Sequence, residues 1–180
     1  MKHQSLFVKA LKQSDSKDEA FTRLVQEYKE RLYWHIRKIV LDHDDANDVV
    51  QNTFIKVHLN IENFNENSTL FTWMYRIATN EALNFIKSKA KKIGLKNEEW
   101  IEAMADNLES DPFFDGDEAA LILQKEISKL PEKQRIVFNM RYFDGMNYYS
   151  ISEILDTSVG ALKASYHHAV KKIKTKLTND

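Results

Sequence analysis

An acidic cluster, Asp44-Asp45-Ala46-Asn47-Asp48, has residue types that could bind a metal ion. Carboxylates at this spacing share one helix face, as they do in enzymes that bind metal–diphosphate substrates. The chain is too short for such a fold, however, and no second acidic motif faces the first. A calcium loop is excluded because its central glycine and terminal glutamate are missing. The cluster instead indicates the start of a helix, where the helix dipole stabilises negative charge.

The C-terminal segment could bind phosphates. A short helix, a tight turn at Asp156–Ser158 and a longer basic helix are typical of a helix-turn-helix. Ser158 is a good N-cap for the second helix, whose small residues would allow close approach to base edges. Its apolar stripe is Val159, Leu162, Tyr166, Val170, Ile173 and Leu177. Its cations are Lys163, Lys171, Lys172, Lys174 and Lys176. An amphipathic bundle helix with a solvated lysine face remains an open alternative.

A predicted helix over Thr69–Lys92 carries aromatic, amide and cationic groups of the kind that hold unstacked bases. Roughly opposite its predicted inner face lie Thr72, Arg76, Thr79, Asn80, Leu83 and Lys87. Trp73 and Tyr75 add aromatic rings, and an asparagine-rich loop precedes the helix. Aromatic residues at helical spacing are also common in cores, so this pattern alone leaves both interpretations open.

No catalytic constellation is found in the sequence. The six histidines lack ligand spacing, and the chain has no cysteine, so thiolate metal sites and disulfides are excluded. Phosphate loops, nucleophile elbows and glycine-rich fingerprints are missing. We expect no enzyme, no metal and no cofactor. The net charge of −1 disfavours a dedicated nucleic-acid binder unless the charges are separated along the chain, which they are.

Helical periodicity runs through most of the 180 residues, and only 4 glycines and 2 prolines interrupt it. The pattern lapses over an acidic stretch that contains Pro112. The fold class predicted is all-α, with two small helical domains, a bundle and a helix-turn-helix, joined by an acidic linker. The predicted parts are an N-terminal leader 1–19, a bundle 20–93, a linker 94–118 and a second domain 119–180. No segment approaches the ~20 apolar residues of a membrane span, so a cytoplasmic protein without membrane insertion is expected.

Three motifs, in order, carry a family resemblance. They are Asp45-Ala46-Asn47-Asp48-Val49-Val50-Gln51-Asn52-Thr53-Phe54-Ile55-Lys56-Val57, Phe71-Thr72-Trp73-Met74-Tyr75-Arg76-Ile77-Ala78-Thr79-Asn80 and Leu130-Pro131-Glu132-Lys133-Gln134-Arg135-Ile136-Val137-Phe138. Together with the helix-turn-helix, they resemble regions 2.2, 2.3–2.4 and 4 of the extracytoplasmic-function (ECF, group IV) RNA polymerase sigma factors of the sigma-70 family. The resemblance covers roughly residues 21–92 and 127–177.

The resemblance implies an alternative sigma factor that binds core RNA polymerase and directs promoter recognition and transcription initiation. Contacts to the β′ clamp helices are implied for Asp45, Asp48, Gln51 and Phe54. Melting and reading of the −10 element are implied for Asn63, Asn65, Asn67, Ser68, Trp73, Arg76, Thr79, Asn80 and Lys87. Reading of the −35 element is implied for Ser158, Gly160, Lys163, Ala164, Ser165, His167, His168, Lys171 and Lys172. The helix 131–143 would lie near the β flap, and an anti-sigma factor is implied as a further partner.

The sequence departs from the family pattern at several positions. Asn47 and Asn52 stand where acidic residues are common, while Ser165 and His168 occupy places that often carry arginine. Fewer fixed cations predict a different −35 sequence or a weaker, less salt-dependent affinity for duplex DNA. Two other functions stay open: a dimeric helix-turn-helix regulator acting without polymerase, and a protein-binding antagonist of polymerase.

Overall fold

The computed structural model describes residues 2–110 and 118–178, in which every regular element is helical. The α-helices are α1 (Lys2–Lys12), α2 (Lys17–Val40), α3 (His43–Asn60), α4 (Leu70–Lys92), α5 (Asn97–Asp106), α6 (Glu118–Ser128), α7 (Glu132–Tyr142), α8 (Tyr148–Leu155) and α9 (Val159–Leu177). Two short 3-10 turns, Ile61–Asn63 and Asn107–Ser110, follow α3 and α5. The predicted all-α class with two helical domains is confirmed. No described helix is both long and apolar enough to cross a bilayer.

Helices α2 and α3 form a tight hairpin. Helix α2 ends at Leu41, a residue at φ 65° whose amide donates to the Arg37 carbonyl. A left-handed conformation is unfavourable for leucine, but burial of the Leu41 side chain holds it there. Asp42 then caps α3 by accepting a 2.8 Å hydrogen bond from the Asp45 amide. The acidic cluster of the sequence therefore lies at a capped helix start.

Helix α4 is the centre of the first domain, the bundle formed by α1–α5. Thr69 caps it by accepting a hydrogen bond from the Thr72 amide at 3.1 Å. It packs against α2, α3, α5 and α8. More of its surface is therefore buried than in a helix that buries one row of apolar residues. Its buried residues are Leu70, Thr72, Met74, Tyr75, Ala78, Thr79, Ala82, Ile86 and Ala90.

The two ends of the first domain contain helices where the sequence predicts a leader and a linker. Val8 and Leu11 of α1 are each 1% exposed, because α1 packs on α2. Helix α5 lies inside the predicted linker, where the sequence analysis places no regular element. Its Trp100 and Ile101 are buried against α4. Residues 111–117 of the predicted linker, including Pro112, lie outside the described residues, and the domain limits stay predictions.

The second domain consists of α6–α9 and contains the predicted helix-turn-helix. Helix α8 ends in a left-handed turn at Asp156, and Ser158 caps α9 by accepting a hydrogen bond from the Ala161 amide at 3.3 Å. Leu162, Tyr166, Ala169 and Ile173 make the inner face of α9. The expected stripe is wrong at Val170 and Leu177, which are exposed. At 3.6 residues per turn, Ala169 rather than Val170 continues the buried row from Leu162.

The two domains are in contact. Helix α8 packs against α4, and α7 packs against α2. One hydrophobic cluster runs from the first domain into α7, α8 and the start of α9, and it includes Val137, Ile151 and Leu162. The two domains are therefore in a closed arrangement.

Candidate polymerase and promoter surfaces

The outer face of α3 is a mixed polar and aliphatic surface, which we call the α3 face: Asp48, Gln51, Ile55 and Leu59. All four residues are exposed, and Ile55 and Leu59 reach 56% and 69% exposure. Large aliphatic side chains at that exposure indicate a protein-binding surface when they adjoin one another. Spacings of three, four and four residues place the four side chains on one side of the helix.

Two residues predicted to contact polymerase do not belong to this face. Phe54 is only 7% exposed and packs edge-to-face on Phe21, with ring centroids 6.3 Å apart. Its assignment to a surface contact is corrected, because it lies on the inward row of α3. Asp45 is half-buried and accepts a 3.0 Å hydrogen bond from Lys89, which ties α3 to α4. The sequence reasoning missed Ile55 and Leu59, although neither fits the helical spacing of the buried residues Val50, Phe54 and Val57.

The loop between α3 and α4 presents amides to solvent. Asn63, Asn65 and Asn67 are exposed, and Ser68 is half-buried. Between the first two, Phe64 is 3% exposed and its ring lies 5.1 Å from that of Trp73. The buried phenyl ring fixes the loop, while the flanking amides remain free to make edge hydrogen bonds to bases.

Lys12 of α1 anchors the same loop, a contact that sequence reasoning missed. Its ammonium donates to the Phe64 carbonyl at 2.8 Å and to the Glu62 carbonyl at 3.3 Å. Lys17 adds an ion pair with the Glu62 carboxylate at 3.6 Å. An ammonium bonded to two carbonyls of one turn restrains the backbone of that turn. Helix α1 thus positions the loop that carries the predicted −10 contacts.

Helix α4 presents only part of the predicted −10 set. Arg76, Asn80 and Lys87 are exposed, and Trp73 is half-buried. Thr79 is 1% exposed, and its hydroxyl donates to the Tyr75 carbonyl at 2.7 Å. A direct base contact by Thr79 is therefore corrected, because α2 covers that side of α4.

The first helix of the helix-turn-helix approaches the predicted −10 surface. The Arg76 guanidinium donates to the Glu153 carbonyl of α8. Helix α8 packs along α4 at this point. In the closed arrangement, Arg76 is therefore engaged by the second domain rather than free to contact DNA.

The outward side of α9 is cationic and accessible. Its exposed members of the predicted −35 set are Ser158, Gly160, Lys163, Ala164, His167, His168, Lys171 and Lys172, and Ser165 is half-buried. The ammonium of Lys163 lies 5.9 Å from the Tyr148 ring centroid, so α8 restrains it. Small side chains near the N-terminus and lysines further along suit base edges and phosphates respectively.

Helix α7, expected near the β flap, is mostly internal. Its residues from Arg135 to Met140 are buried, and burial lowers the pKa of Arg135 even though Glu132 and Glu98 act in the opposite direction. Exposure returns at its C-terminal end, where Tyr142 and Phe143 are 57% and 42% exposed. The aromatic end is one of two accessible parts of this segment; the other is its start, where Pro131 and Lys133 are exposed. Within residues 2–110 and 118–178, no cluster of three or more His, Asp or Glu side chains is placed to hold a metal ion.

Known proteins share both domains. The family model of sigma-70 region 2 matches residues 24–92, and that of sigma-70 region 4 matches residues 120–173. The ECF RNA polymerase sigma-E factor of Haemophilus influenzae is 31% identical over 180 residues, which cover 94% of this chain and 93% of the relative. The ECF RNA polymerase sigma factor SigW of Bacillus subtilis is 29% identical over 178 residues, covering 94% of each.

Solved structures share the fold. CnrH, in complex with the cytosolic domain of CnrY, gives a TM-score of 0.70 at 21% identity and covers 98% of this chain and 97% of its own. The sigma factor RpoE of Bartonella quintana, in complex with the anti-sigma factor NepR, gives a TM-score of 0.69 at 18% identity, with 89% and 98% covered. The matched models, the order of the two domains and the full-length relatives agree. The chain belongs to the ECF RNA polymerase sigma factors.

Proposed function

We propose that this chain, a group IV sigma factor, binds core RNA polymerase through the α3 face and directs it to promoters in the cytoplasm. The observation that carries this proposal is the separation of three surfaces on one chain: an aliphatic and acidic α3 face, an amide-bearing loop and a cationic α9. A helix-turn-helix regulator needs only the last of these. The other two have the chemistry of a protein contact and of single-strand base capture.

The loop 63–68 and the outer side of α4 read the −10 element. Amides of Asn63, Asn65 and Asn67 can pair with the Watson–Crick edge of an extruded base, and Arg76 and Lys87 can neutralise adjacent phosphates. Moving a base out of the stack costs a few kcal/mol. Because the loop is already held in place, it loses less conformational entropy on binding the base, and more of the contact energy remains to offset the cost of unstacking.

Helix α9 reads the −35 element in duplex DNA. Its N-terminal residues Gly160 and Ala164 are small enough to let the backbone approach the major groove. Lys171 and Lys172 lie further along and contact phosphates. The imidazoles of His167 and His168 add hydrogen-bond capacity with less fixed charge than arginine, which favours a modest dependence of affinity on salt.

An anti-sigma factor is proposed as a partner. CnrH and the Bartonella quintana sigma factor RpoE were each determined in a complex, and one of the two partners is named as an anti-sigma factor. The exposed aromatic end of α7, Tyr142 and Phe143, is an apolar surface on which such a protein can dock.

Transcript mapping tests the proposed function. Purified chain is added to bacterial core RNA polymerase and genomic DNA of its source, and the transcripts' 5′ ends are sequenced. New starts that share −10 and −35 motifs, and are missing with core alone, support a sigma factor. Dimers that bind duplex sites without polymerase, together with no new starts, contradict it and favour a helix-turn-helix regulator.

Lys12→Met is expected to weaken binding of the −10 strand by the holoenzyme about fivefold. A charge-assisted hydrogen bond contributes about 1.5–3 kcal/mol, and partial exposure of Lys12 reduces this to about 1 kcal/mol. Methionine keeps the aliphatic stem and removes the ammonium that holds the Phe64 and Glu62 carbonyls. The measurement is the affinity of the holoenzyme for a single-stranded −10 oligonucleotide at fixed salt.

The matched control is Lys9→Met, an exposed lysine on the same helix. It removes the same charge without touching the loop, so wild-type affinity is expected. Equal affinities for the Lys12 and Lys9 variants would show that α1 does not position the loop.

A further inference from the structure

A cavity of about 600 Å³ lies between the two domains and is partly open to solvent. The first domain lines it with α2 and Tyr75 of α4, and the second domain lines it with α6 and the loop after α7. We call it the interdomain cavity. No described residue of the α3 face, of the loop 63–68 or of α9 borders it. Its volume is within the range of about 300–1,000 Å³ that is usual for sites that hold small organic ligands.

Each domain contributes an aromatic ring to this cavity. Trp34 of α2 is half-buried, and Phe143 in the loop after α7 is 42% exposed. The Lys38 ammonium lies 5.3 Å from the centroid of the Phe143 ring, which keeps that ring at the domain boundary. Aromatic side chains bind planar ligands through stacked or edge-to-face contacts. A ligand with fused rings can therefore contact both domains at once.

Gln124 of α6 supplies a hydrogen-bond donor that lacks an acceptor. Gln124 is 6% exposed, and its side-chain Nε2 has no hydrogen-bond partner among the described residues. An unpaired buried N–H is unfavourable, and native structures rarely contain one. Because Gln124 borders the cavity, a carboxylate oxygen of a bound ligand can accept this hydrogen bond.

The charged residues around the cavity favour an anionic ligand. Lys38 and Asp144 compensate each other, because Lys38 Nζ donates to Asp144 Oδ1 at 2.6 Å. The second carboxylate oxygen, Oδ2, lies 2.8 Å from His35 Nδ1. Two arginines and one glutamate of the described cavity wall remain, which is one positive charge in excess: Arg31, Arg37 and Glu30. A monoanion complements that excess.

We propose that the interdomain cavity binds an aromatic carboxylate, whose rings pack between Trp34 and Phe143 and whose carboxylate accepts a hydrogen bond from Gln124 Nε2. A ligand that contacts both domains stabilises the arrangement in which they touch. In that arrangement the Arg76 guanidinium donates to the Glu153 carbonyl, and α8 packs along α4. The ligand is therefore an inhibitor of promoter binding. The site rests on the cavity alone, whereas its effect on initiation rests on the proposed function.

Titration of the free full-length chain with 2-naphthoate, which has two fused rings and one carboxylate, tests the site. Calorimetry is expected to show one site with a dissociation constant of about 0.1 mM, which is usual for a ligand of this size. In ¹H–¹⁵N spectra the side-chain amide resonance of Gln124, identified by its loss in Gln124→Met, should shift with the same dissociation constant. The neutral 2-naphthamide has the same shape and should bind about tenfold more weakly, because a hydrogen bond to a charged acceptor is stronger.

Two pairs of variants locate the ligand. Gln124→Met keeps the length of the side chain and removes the donor, so it should weaken binding of 2-naphthoate about tenfold. Gln26→Met is its control, because Gln26 is exposed on α2 and does not border the cavity. Phe143→Ala removes the ring of the second domain and should weaken binding severalfold. Tyr142→Ala, at its exposed neighbour outside the cavity wall, should bind as wild type. Far-UV circular dichroism confirms that each variant is folded.

Two results would overturn the proposal: no saturable binding of 2-naphthoate up to about 1 mM, tenfold above the expected dissociation constant, or equal affinities for the Gln124→Met and Gln26→Met variants. Transcript mapping with the same proteins separates these outcomes from the proposed function. New promoter starts from a chain that does not bind 2-naphthoate refute the ligand site alone, whereas the expected binding without any new start refutes the proposed function and leaves the site standing. Where both occur, saturating 2-naphthoate should lower the yield of the new transcripts severalfold, and an unchanged yield refutes the inhibition.

Discussion

Replacing Ile55 by aspartate is expected to weaken binding of the chain to core RNA polymerase about tenfold or more. Ile55 is 56% exposed beside Leu59 at 69%, and these are the aliphatic part of an otherwise polar α3 face. Large apolar groups at the centre of an interface carry most of its energy, and a buried unpaired carboxylate adds a desolvation penalty. Each tenfold change corresponds to about 1.4 kcal/mol. Binding of labelled chain to core, measured by fluorescence anisotropy, checks the result.

Ile93→Asp provides the matched control. Ile93 is 58% exposed and follows the last residue of α4. Four residues before it, Lys89 forms an ion pair with Asp45 near the start of α3. The same change of residue type is made there, away from the α3 face. Because both side chains are exposed, neither variant should lower the melting temperature appreciably. Equal core affinities for the two variants would remove the α3 face from the polymerase contact.

Replacing Leu162 by alanine is expected to destabilise the second domain by about 3 kcal/mol and abolish −35 recognition. Leu162 is 0% exposed at the start of α9 and belongs to the cluster with Val137 and Ile151. Truncation of a buried leucine costs about 2–5 kcal/mol, and a domain this small has little stability to lose. The DNA-facing residues are untouched, so the loss of binding would come from unfolding of the helix that carries them.

Denaturant titration with two probes measures this effect. All three tryptophans, Trp34, Trp73 and Trp100, lie in the first domain, whereas circular dichroism reports both domains. The Leu162 variant should lose part of its ellipticity before its tryptophan emission changes. Val170→Ala on the same helix, where the side chain is 39% exposed, should cost about 0.5 kcal/mol or less. A Leu162 variant as stable as the Val170 variant would contradict the packing described for α9.

Local signals predicted most of the elements because they depend on neighbours in sequence. The helix predicted over Thr69–Lys92 matches α4 to within one residue at its start, and Ser158 caps α9 as predicted. The inward row of α3, which includes Val49, Thr53 and Val57, is buried at the spacing of a helix. The outward lysines of α9 are exposed for the same reason.

Contacts between distant segments could not be read from the sequence. Thr79 appeared to lie on an outer face, yet α2 buries it beside His35. Nothing near His35 in sequence indicates Asp144 as its partner, since the two residues are 109 positions apart. Phe54 shows the opposite error: a family resemblance assigned it to a surface, while its own periodicity with Val50 and Val57 placed it in the core.

The predicted linker contains a helix, α5, that its acidic composition did not indicate. Acidic residues dominate residues 94–118, but Trp100, Ile101, Ala105 and Leu108 are spaced to make one apolar row, and all four are buried. Glu99 also accepts a 2.8 Å hydrogen bond from the Lys96 amide, which closes the first turn of α5. The acidic composition favoured a solvated linker. The helical spacing of the apolar residues indicates instead that this segment packs against the first domain.

Packing of α5 also limits how far apart the two DNA-reading surfaces can move. With the turn Asn107–Ser110 in place, seven residues, 111–117, remain before α6 begins, and a chain of that length spans at most about 25 Å. Elements centred near −10 and −35 are separated by about 85 Å along B-form DNA. Releasing α5 and the turn after it from α4 would add residues 93–110 and raise the maximum span to about 90 Å. Burial of Trp100 and Ile101 thus shortens the tether between the two domains. Whether α5 stays packed on α4 therefore determines the longest distance between −10 and −35 elements that the chain can cover.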